Sequence, residues 1–182
     1  MGSNSLSEWQ GFFTYVGLVA GGLTGLIFVA LSIQIGAATA RSTYVARARV
    51  TLGALAGFVV LCGFALLPRQ TSTAFGFESF VLLVVLIADV LRLIRAFEAA
   101  GEGLKGALLV RTAFALALFG IGALGAIGLL VDFPGSMLAV GGSTLLGLPV
   151  RIVQAWALLV AALPTRALPD DTPPPEVVEA AS

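Results

Sequence analysis

The sequence predicts an all-α fold: a polytopic membrane helical bundle of about five transmembrane helices. Two observations of composition and one of length lead there. Of 182 residues, 58% are hydrophobic and only 11% charged, where a soluble domain carries roughly a quarter charged residues. Mean hydropathy is +1.03. Five apolar runs, about 11–35, 50–67, 77–97, 108–131 and 137–163, each approach the roughly 20 residues that a helix needs to cross about 30 Å of hydrocarbon. Helices satisfy their own backbone polar groups in lipid, and the runs are too long for barrel strands.

The first run follows "MGSNSLSEWQGFF", which has no basic n-region, and it continues well past the length of a signal-peptide core, so a retained span is expected. Leu6 stands where a myristoylation signal wants Ser or Thr. The second run holds the chain's single cysteine, Cys62, in "GFVVLCGFALL", a setting for an inert small hydrophobe. The third contains Asp89, the fourth ends before "DFPGS", and the fifth contains Arg151 and Gln154 two and five residues beyond Pro149. The connections "RSTYVARAR", "PRQTSTAFG", "EAAGEGLKG" and "DFPGS" carry charge, Gly and Pro as turns require. Three domains are expected: a short extracytoplasmic N-terminus at 1–10, the bundle at 11–163, and a Pro-rich, acidic, disordered cytoplasmic tail at 164–182.

Orientation follows the distribution of Arg and Lys. Arg41, Arg47 and Arg49 fall in the first loop and Arg92, Arg95, Lys105 and Arg111 around the third, against Arg69 alone in the second and none in the fourth. Loops one and three are therefore expected inside, the N-terminus outside, and Trp9, Phe12 and Phe13 at the outer interface. The abundance of Arg over Lys, with much Ala, Gly and Val, points to a GC-rich bacterial genome and hence to the inner membrane.

Small residues recur at four-residue spacing: Gly17, Gly21 and Gly25 in the first helix, Gly53 and Gly57 in the second, Ser143 and Gly147 in the fifth. Such positions let helix backbones approach closely, either within one chain or between copies. Two G-x-G-x-x-G matches, "GIGALG" from 120 and "GEGLKG" from 101, lack the preceding strand that a dinucleotide site needs. With no histidine in the chain, the usual serine-hydrolase and zinc-protease arrangements fail. No enzyme activity, cofactor or metal is expected, and balanced charge without a basic stripe argues against nucleic acid.

Ionisable residues at membrane depth are functional candidates by default. Asp89 lies about 18 Å along its helix from Phe77, and Arg151 about 21 Å from Met137, at 1.5 Å per residue. Matched depth predicts an interhelical pair, with Gln154 one turn further on completing the set. Two other arrangements stay open: Asp89 paired with Arg92 on its own helix, or a fifth helix starting late at Pro149 so that Arg151 reaches the outer surface.

The stretch "WQGFFTYVGLVAGGLTGLIFVALSIQ" and the following "VARARVTLGALAGFVVLCGFALLPRQTSTAFGFE" resemble a group of small, uncharacterised, polytopic bacterial inner-membrane proteins with an aromatic start, an "LTGLIFVALS" helix and an "LLPRQ" turn. The resemblance covers about half the chain, to Glu78, and implies a bacterial membrane protein without carrying functional residues. The expected function is a non-enzymatic accessory or regulatory membrane protein working through helix contacts with itself or another membrane protein. The alternative is a small homo-oligomeric channel or carrier using Asp89 and Arg151.

Overall fold

A computed structural model describes residues 5–38, 42–101 and 106–162, and they form five α-helices: α1 Leu6–Ala38, α2 Ser42–Ala65, α3 Ser72–Ala99, α4 Gly106–Leu130 and α5 Ser136–Ala162. Each covers most or all of one predicted apolar run and starts before it, while α2, α4 and α5 end one or two residues short of it; polar residues at a helix end lie at headgroup level and need not break the helix. Helical structure starts at Leu6, inside the stretch expected as a separate N-terminus. The tail at 164–182, Arg41 and Lys105 lie outside the described residues.

Consecutive helices run antiparallel. The stretches Leu6–Ala30, Val45–Ala65, Leu108–Leu130 and Ser136–Leu158 are long and apolar enough to cross a membrane. Glu78, Asp89, Arg92, Arg95 and Glu98 make α3 more polar. It nevertheless joins the end of α2 to the start of α4 and must traverse the same depth. Helices α2, α3, α4 and α5 pack in that order around a ring that α5 closes against α2, and α1 lies outside it against α2 and α5.

Backbone chemistry explains the turns at the end where α1 starts. Thr71 caps α3, its hydroxyl accepting from the Ala74 N–H at 3.1 Å, which satisfies one of the orphan donors of the first turn. At the end of α4, Asp132 takes a left-handed conformation (φ 52°) and the Phe133 N–H donates to the Gly128 carbonyl at 2.8 Å, the six-to-one closure of a Schellman cap. Gly135, at φ 83°, then turns the chain into α5.

Close approach of small residues fixes the spacing of the ring. A Cβ added to Gly76 of α3 would lie 2.8 Å from the Leu129 Cβ and 2.9 Å from the Ala126 carbonyl of α4. Gly122, Gly125 and Gly128, spaced on one side of α4, receive Ser143, Ala139 and Ser136 of α5 in turn, so "GIGALG" is a helix-packing surface. Among the glycines singled out by spacing, Gly17 sits on Cys62, Gly21 near Val59 and Gly57 on Leu86, whereas Gly25 and Gly53 have no other group within 4 Å of a would-be Cβ. The contacts of the first three are within the chain.

Of the three aromatic residues expected at the outer interface, Phe13 turns inward while Trp9 and Phe12 are half-buried. Phe13 is fully buried and packs edge-on against Phe75 at 5.3 Å. Trp9 and Phe12 lean on the same core, with Trp9 over Gly141. Phe13 and Phe75 pack together in this half of the bundle; the opposite half encloses the polar residues described next.

Candidate functional site

Helix α5 is continuous from Ser136 through Pro149, so it does not start late and Arg151 does not reach the outer surface. Proline costs the ladder one N–H donor, but the flanking turns hold. Arg151 lies about 16 Å along the axis from Ala162, at 1.5 Å per residue, and is only 2% exposed.

Asp89 is not its partner. The expected interhelical pair is absent: Asp89 accepts from Arg92 Nη1 at 2.8 Å and meets Arg49 Nη2 at 3.8 Å. These three side chains lie in an outward groove between α2 and α3, also lined by Val45, Ala46 and Ala96. Depth matches but direction does not. Helices α3 and α5 are diagonal in the ring, and the neighbouring Val90, turned by one residue, is the side chain that points toward Arg151's pocket. Successive side chains on a helix of 3.6 residues per turn diverge by about 100°.

Arg151 instead faces inward. Its Nη1 donates to the Gln154 Oε1 at 2.6 Å, one helical turn on, which is the contact expected of Gln154. The guanidinium carbon sits 4.8 Å from the centroid of the Phe119 ring on α4, within cation–π range. Phe119 is itself packed against Phe58 of α2. Nη2 has no hydrogen-bond partner.

The space beside it is a small pocket inside the ring, of about 20 Å³, to which all four helices contribute. Helix α2 supplies Arg47, Val50 and Thr51; α3 supplies Val90 and Leu93; α4 supplies Leu108, Arg111, Thr112 and Ala115; α5 supplies Arg151, Gln154 and Leu158. Arg47 and Arg111 are half-buried, each five residues inside the start of its helix, about 8 Å along the axis. Thr112 donates to its own helix at Leu108 O, 2.8 Å away. Three arginines thus line one pocket between the four helices, and among the described residues no carboxylate lines it.

Sequence reading singled out Arg151 and Gln154 and missed Arg47, Arg111 and Phe119, taking both arginines only as markers of orientation. A signal existed: Arg47 and Thr51 share one face of α2 at i, i+4, and Arg111 with Thr112 stands inside an apolar run. Among the described residues no group of three or more His, Cys, Asp or Glu side chains is placed to hold a metal.

The bundle and this pocket define a multi-pass helical membrane protein with a basic interior site. Comparison with protein-family models, with curated proteins and with solved structures finds no match.

Proposed function

We propose that the chain is a non-enzymatic accessory or regulatory protein of the bacterial cytoplasmic membrane, with its N-terminus outside and C-terminus cytoplasmic, acting through helix contacts. The observation that carries this reading is how the buried hydroxyls are spent. Thr112 bonds to Leu108 O, Ser136 to Phe133 O, and Ser143 and Thr144 to Val140 O. Each of these four is absorbed by its own helix or capping turn, as is usual for Ser and Thr in membrane helices; the Ser79 hydroxyl is buried without a hydrogen-bond partner, and among the described residues none of these five hydroxyls is bonded to a base. The basic groups Arg47, Arg49, Arg92, Arg95 and Arg111 gather at one end of the bundle, opposite Arg69, which supports placing that end in the cytoplasm.

Helix α1 is the element best suited to contact. Its apolar window is 22% buried, against 44–50% for the other three spanning stretches, and Tyr15, Leu18 and Leu26 are each more than 70% exposed. The alternative remains a small homo-oligomeric channel or carrier using Asp89 and Arg151, although within one chain Asp89 lines the outward groove and Arg151 the inner pocket.

Two experiments test this. Cysteine at Ser5 should react with an impermeant thiol reagent in intact cells and cysteine at Ser182 should not, against a quiet background because Cys62 is buried. Photocrosslinkers at Leu18 and Leu26 should each give one discrete protein adduct in native membranes, while the same probe at Leu124 on α4, also exposed, should give none. Labelling at both ends refutes the topology; lipid adducts alone at Leu18 and Leu26 refute the accessory role.

A further inference from the structure

We propose that the pocket at Arg151 is a binding site for one small monovalent anion of halide size. The proposal stands on the pocket's charge, its size and an unspent donor, and does not depend on the accessory role.

Arg151 is permanently charged and 2% exposed. Its two observed partners, the Gln154 amide oxygen and the Phe119 ring, offer a dipole and a quadrupole but no negative charge. An ion removed from water without a counter-charge is costly, and the usual resolution is a paired ion. The described carboxylate at the same depth, Asp89, is held in the outward groove by Arg92 and Arg49. Arg111 adds a second positive charge and Arg47 a further guanidinium side chain at the basic end of the pocket, and at the low dielectric of a helix-bundle interior the attraction for an anion is little screened. Nη2 of Arg151, with no partner, is a donor ready to receive it.

Size selects the class of anion. A space of about 20 Å³ exceeds the roughly 10–15 Å³ needed to seat one water-sized sphere, which matches a single-atom anion. Walls of Val90, Leu93 and Leu158 cannot replace a tight hydration shell, which favours chloride and bromide over strongly hydrated fluoride.

The test uses the full-length protein purified in mild detergent and exchanged into sodium gluconate. Chloride, bromide, fluoride or phosphate is then titrated in at constant ionic strength. Melting temperature and chloride NMR line width are read together. Chloride and bromide should raise the melting temperature saturably, as a ligand of the native state does, and chloride should broaden its NMR line through exchange with one site; fluoride and phosphate should do little. Arg151→Gln should abolish both effects, Arg47→Gln and Arg111→Gln should each raise the half-saturating chloride concentration about tenfold, and Arg95→Gln should leave it unchanged. If Arg151→Gln does not fold, the two entrance variants and the wild-type anion series carry the test. A pocket holding water alone gives no saturable chloride response, and a lipid-phosphate site responds more strongly to phosphate. Either result overturns the proposal, as does a chloride response that survives in Arg151→Gln or is unchanged in both entrance variants.

Discussion

Gly76→Ala offers a quantitative test of how closely α3 and α4 meet. The new Cβ would fall 2.8 Å from the Leu129 Cβ and 2.9 Å from the Ala126 carbonyl, where ordinary carbon contacts are about 3.5–4.0 Å. A backbone carbonyl cannot turn aside as a side chain can, so the helices must separate. Overpacking of this kind costs about 1–3 kcal/mol. Alanine also improves helix propensity by up to about 1 kcal/mol over glycine, which opposes the clash and has to be subtracted. Gly53→Ala supplies that subtraction, since its Cβ meets nothing within 4 Å and only the propensity term remains. The difference between the two variants therefore isolates the overlap. At about 2–4 °C per kcal/mol for a chain of this size, Gly76→Ala should melt about 2–12 °C below Gly53→Ala in detergent, followed by circular dichroism. Equal melting temperatures, or a more stable Gly76→Ala, would refute the α3–α4 packing.

Three further substitutions separate buried from exposed contacts, each read as the change in thermal stability in detergent. Gln154→Ala strips the hydrogen bond from the buried Arg151 and should cost about 1.5–3 kcal/mol, the range for bonds to charged groups. Asp89→Asn leaves Arg92 and Arg49 without their carboxylate in an outward groove at membrane depth, where water does not screen the pair, so it should cost more than the roughly 1 kcal/mol of a water-exposed ion pair. Arg69→Gly relieves a left-handed residue at φ 59° and should stabilise by up to about 1 kcal/mol.

The five helices were legible because composition and run length alone report membrane crossing. Depth was legible too: Asp89 and Arg151 do lie about 15–16 Å from the basic ends of α3 and α5 at 1.5 Å per residue. Direction was not. In a soluble helix the apolar stripe reveals which face is buried, but in lipid both faces are apolar. The buried stripe of α3, Phe75, Ser79, Leu83, Leu86, Val90, Leu93 and Phe97, is interleaved with exposed Val81, Val84, Val85 and Leu91. Nothing in that pattern marks Asp89 as facing away from the ring. The same blindness hid Arg47 and Arg111, whose place in the first turns reads as a loop charge until α2 and α4 are seen to turn them toward one pocket. Glycine spacing found Gly17, Gly21 and Gly57 but passed over Gly76 and Gly128, since closeness depends on what stands opposite.

The separation of Asp89 from Arg151 is the claim on which the site rests, and a double-mutant cycle measures it directly. Asp89→Asn and Arg151→Gln, made singly and together, should have stability effects that add within about 0.5 kcal/mol, as for sites without a shared partner. A coupling of about 3 kcal/mol or more between them, the size expected when one partner of a buried ion pair is removed, would contradict the inward-facing Arg151 and restore the interhelical pair.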